Sequence, residues 1–256
     1  INPDDGVSIE GVAVQGEEEL RRGPGEELRS CEPLVVGHDR WGHGPERSKR
    51  HEAGFDNMIN FEFQDRAGAN LESLFAAYAK LQAGKPSQML NYISSHDTRL
   101  YPRDRLVEAG NALLLAPGGV QIYYGDETAR PPGPVPSTDP QQATRSDMNW
   151  ASPDAKVLAH WRRLGQFRAR HVALARGAHT KLGDAPYTFA RSDAASGDRV
   201  VVALDVAAGA AVPVGSSFAE GEALIDAYSG QRVAVAGGVV RIAQAAPAVL
   251  LEKASR

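Results

Sequence analysis

Apolar residues follow two different rhythms along this chain. Between positions 33 and 171, short apolar runs, PLVVG, MINFEF, QMLNYIS and VQIYYG, alternate with stretches of helical spacing. Leu71, Leu74, Phe75, Tyr78 and Leu81 mark one helix, and Leu106, Val107, Leu113 and Leu114 mark another. That alternation is the rhythm of parallel βα units, so strands are predicted near 33–37, 57–63, 88–94 and 119–125, parallel and adjacent in that order. After the proline-rich ARPPGPVPSTDP, the stretch SPDAKVLAHWRRLGQFRARH predicts a further helix. Ser152 is its expected cap, with Pro153 in the first turn and Val157, Leu158, Trp161, Leu164 and Phe167 on one face. His160 and His171 are expected at the surface or at a boundary.

Past about Gly177 the pattern turns to alternation, in YTFAR, RVVVALDV, EALIDAY, RVAVA, VVRIA and AVLLEK, separated by Gly, Asp and Ser. This reads as an antiparallel β domain with a core of Val, Leu and Ile. The expected organisation is therefore 1–176 for the α/β part and 177–256 for the β domain. The first 30 residues differ from both: apart from Val7, Ile9, Val12 and Val14, they offer few large apolar side chains to bury.

Composition narrows the class. With 42% hydrophobic and 23% charged residues over 256 positions, the chain can bury a large core. A net charge of −4 with scattered Lys and Arg gives no footprint for nucleic acid. No apolar run reaches the roughly 18 residues of a membrane span, so no membrane partner is expected. Cys31 is the single cysteine, which rules out an internal disulfide or a cysteine-built metal site. His38, His43 and His51 lie in a loop at spacings that suit no helix face, so a metal site there is not the favoured reading.

In parallel βα proteins the chemistry gathers at the carboxyl ends of the strands. There stand His38 and Asp39, His96 and Asp97, and Asp126 and Glu127. Each could cap a following helix, but carboxylates and imidazoles clustered at neighbouring strand ends also suit glycoside hydrolysis, where one carboxylate attacks and another donates a proton. NYISSHDTRL and GGVQIYYGDETARP, with GFDNMINFEFQ before them and TRSDMNW and HWRRLGQFRARH after, resemble the second half of glycoside hydrolase family 13 α-amylases, especially the periplasmic bacterial type. The resemblance implies a partial (β/α)8 TIM barrel, about strands four to eight, followed by an antiparallel β-sandwich domain. It implies hydrolysis of α-1,4-glucosidic bonds in starch or maltooligosaccharides, and a periplasmic or secreted location.

Carried over by position, Asp97 is the residue that clamps sugar hydroxyls, and His96 binds charge beside it. Tyr124, Asp126 and Glu127 fall in the segment that braces the barrel mouth; if the protein binds glucan, Trp41 and Tyr124 are its aromatic sugar contacts, against strand-end packing for Tyr124 and a wedge between loops for Trp41. The stretch VVGHDRWGHG departs from the family, which has Gly-Glu, one residue, then Trp-Gly; here Asp39 is the carboxylate left to serve as proton donor. Upstream, Glu10 falls at the nucleophile position by register alone, without the family's Arg and His around it. Two readings follow: a rewired hydrolase using Glu10, Asp39 and Asp97, or a relative that binds α-glucans or keeps only the fold. The residues imply no cofactor, and calcium enters only through the resemblance. A homodimer, a partner chain, or the first 30 residues together with the β domain is expected to cover the open edges of the barrel.

Overall fold

The computed structural model describes residues 57–68, 70–82, 89–135 and 139–254, together with the backbone of Val36 and Gly37. Strands β1 (Val36–Gly37), β2 (Asn57–Asn60), β3 (Met89–Asn91) and β4 (Gly119–Val120) form one parallel sheet in that order, as the apolar runs predict. This is the partial barrel. A strand near Val7 to Val14 would fall outside the described residues.

The strands are shorter than the apolar runs. The second ends at Asn60 because Phe63 opens a helical turn, α1 (Phe63–Arg66), and buries its ring there. Helix α2 (Leu71–Gln82) starts where Asn70 accepts the Ser73 N–H at 3.0 Å, and it buries Leu74, Phe75 and Tyr78. Leu81, predicted on the same face, is instead 51% exposed, since the face closes at Tyr78, Ala79 and Gln82. Helix α3 (Leu106–Leu114) is apolar nearly all round and accordingly buried.

Helix α4 (Ala155–Arg170) is capped by Asp154, not by the predicted Ser152: its carboxylate accepts the N–H groups of Lys156 and Val157 at 2.9 and 3.0 Å. Val157, Trp161, Leu164 and Phe167 face inward as predicted. His160 is buried too, at the boundary with the β domain and not at the surface: its Nδ1 meets Tyr228 Oη at 2.8 Å. Helices α3 and α4 can approach closely because position 110 is glycine: a Cβ there would lie 2.9 Å from Trp161 Nε1, which donates to Leu106 O at 2.7 Å. Arg168, half-buried on α4, donates to the carbonyls of Leu114, Ala116 and Gly118 and so closes the end of α3.

After the short helix α5 (Val172–Arg176), the chain enters an antiparallel sandwich. Its larger sheet has six strands, β5 (Ala178–Asp184), β6 (Tyr187–Asp193), β7 (Asp198–Val206), β9 (Ala223–Asp226), β10 (Gln231–Ala234) and β12 (Ala246–Lys253), in the order β10-β9-β12-β7-β6-β5. A second pair, β8 (Ala211–Pro213) and β11 (Val239–Arg241), packs over one face. The alternation predicted six of these eight strands. It missed β5, a partly exposed edge strand whose one large aliphatic residue is Leu182, and β8, which is three residues long.

Strand β7 explains its own continuous apolar sequence, because both of its faces are covered. Val200, Val202 and Leu204 join Phe189, Leu250 and the helices in one core, whereas Val201 and Ala203 join Val212, Val240 and Phe218 in the other. The first core therefore runs without a break from α2, α3 and α4 into the sandwich. Among the described residues no helix is long and apolar enough to cross a membrane.

Candidate functional site

Beyond β3 the chain runs buried through Tyr92, Ile93 and Ser94 and then surfaces at His96 and Asp97. The loop that carries this pair is held by short polar residues. Ser95 Oγ accepts the N–H groups of Asp97 and Thr98 at 3.3 and 3.2 Å, and Ser95 N donates to Arg99 O at 3.2 Å. From α1, Gln64 Nε2 donates to the carbonyls of Ile93 and Arg99. From the far side, Thr144 Oγ1 donates to His96 O at 3.0 Å.

The pair itself faces water. Asp97 Oδ1 lies 3.2 Å from His96 Nε2 and 3.6 Å from an Arg145 Nη, with the three side chains 42%, 59% and 38% exposed. One carboxylate, one imidazole and one guanidinium thus meet at an open strand end, a set that can accept from and donate to hydroxyl groups.

Below the loop lies a buried ion pair. Asp126 Oδ1 accepts from Ser94 Oγ at 2.7 Å and from Arg103 at 2.9 Å, while Ser94 Oγ accepts the N–H of Tyr101 at 2.9 Å and an Arg103 Nη at 3.1 Å. Burial drives the Asp126 pKa up to about 6, against the opposing pull of Arg103. Burial also raises Glu127, whose carboxylate turns back to accept the Gly125 N–H at 3.0 Å. Both serve the local structure, as the resemblance implied.

The loop after β4 supplies the aromatic part. Tyr123 and Tyr124 meet edge to face with ring centres 4.7 Å apart, and Arg130 lies 3.9 Å over the Tyr124 ring. Tyr124 Oη donates to Ser146 O at 2.9 Å, leaving the ring 41% exposed. Arg130 is fully buried without a carboxylate partner among the described residues. Its guanidinium donates to Tyr124 O, Thr144 O and Ser146 O, each at 2.9 Å, and also to Ser146 Oγ. It can sit so close because position 125 is glycine at φ +87°, where a Cβ would come within 2.4 Å of Arg130 Cβ.

Of the residues singled out from sequence, the structure brings together His96, Asp97 and Tyr124, joined through the 144–146 segment. Asp39, Glu10, Trp41 and His38 lie outside the described residues. Arg145 and Thr144 escaped the sequence reading as site residues, although TRSDMNW was noted and contains both Thr144 and Arg145. Among the described residues no group of three or more His, Cys, Asp or Glu side chains could hold a metal ion.

No profile of a known protein family matches the chain. The periplasmic α-amylase of Escherichia coli strain K12 is 45% identical over 159 residues, which make up 59% of this chain and 23% of that protein. An Anoxybacillus α-amylase structure superposes with a TM-score of 0.60 at 22% identity, covering 88% of this chain and 53% of the other. The α-amylase of Geobacillus thermoleovorans, solved with acarbose, gives 0.64 at 17% identity, with coverages of 88% and 55%. The chain thus spans about half of these solved chains and about a quarter of the curated relative.

Proposed function

We propose that this relative of the α-amylases forms part of an α-glucan cleft in which Asp97 holds sugar hydroxyls during hydrolysis of α-1,4-glucosidic bonds. The observation that carries the reading is the open His96–Asp97–Arg145 group at a parallel strand end, on a loop braced from three sides. Its acceptor oxygens and donor nitrogens suit vicinal hydroxyls, and the exposed part of the Tyr124 ring suits the apolar face of a sugar.

Hydrolysis with retention needs one carboxylate to attack C1 while another protonates the departing glycosidic oxygen. Glu10 and Asp39 are proposed for those roles, and Asp97 for neither; its part is to fix the ring through its hydroxyls. Trp41 is proposed as a further sugar contact. We place the protein in the periplasm or outside the cell, following its relative. A second copy or another partner chain is proposed to cover the edges of the parallel sheet, since β1 and β4 each have one strand neighbour among the described residues.

The test is calorimetric binding of maltoheptaose together with release of reducing ends from soluble starch, in the parent and in Asp97→Ala. Loss of both signals in the variant is expected. A parent that binds without turnover would favour the non-catalytic reading, and equal binding by parent and variant would overturn the assignment of Asp97.

A further inference from the structure

Two buried polar atoms beside the ends of the Asp97 loop have no hydrogen-bond partner among the described residues: Asp126 Oδ2 and Arg103 Nη1. They belong to one ion pair, in which one carboxylate oxygen and one guanidinium nitrogen stay without a partner. The pair also sits where the loop begins and ends. Ser94 precedes the loop and Tyr101 follows it, and Ser94 Oγ ties the two together while donating to Asp126. Arg103 adds a third tie, through Tyr101 O at 2.6 Å.

We propose that Asp126 is the positioning residue for Asp97, and that its ionisation poises the 95–100 loop to open. An ionised Asp126 leaves one carboxylate oxygen buried without a partner, a cost that opening of the loop would relieve by admitting water. Protonation removes that cost. Among the described residues, the charged groups around Asp126 are Arg103, which favours the ionised form, and Glu127, which opposes it; burial outweighs both and raises the carboxyl to about 6. The direction then follows from linkage: a group whose pKa is higher closed than open favours the closed form fully below the open-state value and loses that preference as pH rises from there through the raised one. The loop is held more tightly in mild acid than at neutral pH.

The inference deepens the proposed function but can be tested without a glucan. Hydrogen exchange of the 95–100 amides is followed in the full chain at pH 5 and pH 7, normalised to an unfolded peptide at each pH and compared with β6 and β7. In the parent the normalised rate should rise about tenfold between the two, from a carboxyl at about 6 closed and about 3.8 open. Asp126→Asn should abolish the step, and His96→Asn should keep it, which separates Asp126 from the imidazole on the loop. Ser94→Ala should speed loop exchange at both pH values, and this variant decides the matter if Asp126→Asn does not fold. A flat parent profile, a step that survives Asp126→Asn, or a Ser94→Ala loop as protected as the parent's would each overturn the proposal. A parent that shows the step but binds no maltoheptaose would remove the proposed function and leave the loop device standing.

Discussion

Replacing Gly125 by alanine should be among the most costly single-methyl additions in this chain. Two effects add. At φ +87° an L side chain is strained by roughly 1–2 kcal/mol. The new Cβ would also lie 2.4, 2.5 and 2.7 Å from Arg130 Cβ, Nε and Cδ, so the buried guanidinium must move. Arg130, fully buried, holds three carbonyls and a hydroxyl, and losing two such charged hydrogen bonds costs about 1.5–3 kcal/mol each. The sum is about 4–8 kcal/mol, a large share of the 5–15 kcal/mol typical of a folded domain. Gly209 provides the control, since its φ is +79° and a Cβ there meets nothing within 4 Å; Gly209→Ala should show the backbone strain alone, about 1–2 kcal/mol. Urea unfolding followed by tryptophan fluorescence and circular dichroism gives both values, and an Arg130→Gly background, which removes the Arg130 Cβ together with the guanidinium, should reduce the Gly125→Ala cost to that of Gly209→Ala. Equal costs at the two glycines in the parent background would refute the reasoning, because Arg130 would then be free to step aside.

Three further outcomes are expected. Trp161→Phe removes the donor to Leu106 O inside the α3–α4 contact and should cost about 1–3 kcal/mol in urea unfolding. Arg168→Met leaves the carbonyls of Leu114, Ala116 and Gly118 unpaired; a loss of about 3 kcal/mol or more is expected, with early exchange of the 114–118 amides as the local sign. Two buried groups should act in opposite senses between pH 4 and 6. Burial lowers His160 to about 4, so its contribution is present above about 6.5 and is lost on acidification toward 4, whereas that of Asp126, raised to about 6, is present below about 4 and is lost as pH rises through 6. Relative to the parent, His160→Gln should therefore gain stability on acidification and Asp126→Asn should lose it, each by up to roughly 3 kcal/mol in denaturant titrations across that range.

The legible parts of this molecule were those written in local pattern. Apolar runs separated by helical spacing gave the order of the parallel strands, and a His-Asp pair directly after such a run marked an exposed strand end. Strand length was not legible, because the apolar run MINFEF continues past Asn60 into the residue that opens α1, and a short buried run looks alike in either state. The inward-reaching arginines were not legible either. Arg130, Arg168 and Arg191 read as surface residues by type, and only the tertiary fold supplies the carbonyls and rings that accept them. Arg145 shows the same limit at the site: it stands in a segment already noted, but its approach to Asp97 depends on how the chain returns after a proline-rich loop.

Strand β7, with a core on each side, raises a question of pairing fidelity. Sliding it one residue along β6 would hand Val201 and Ala203 to the first core and Val200 and Val202 to the second, and one valine fits either place much as another does. The run VVV is thus degenerate with respect to register. What discriminates lies outside it. Asp193 accepts the Ser196 N–H at 3.0 Å and fixes the bend that leads into β7. On β6, Arg191 is anchored to His179 Nδ1 at 3.0 Å and to the Leu174 carbonyl at 3.3 Å and sits opposite Val200, a neighbour that a slipped strand would change. Misfolding in this sheet should accordingly begin with changes to a polar bend and one buried cation, while exchanges among the valines themselves leave the pairing intact.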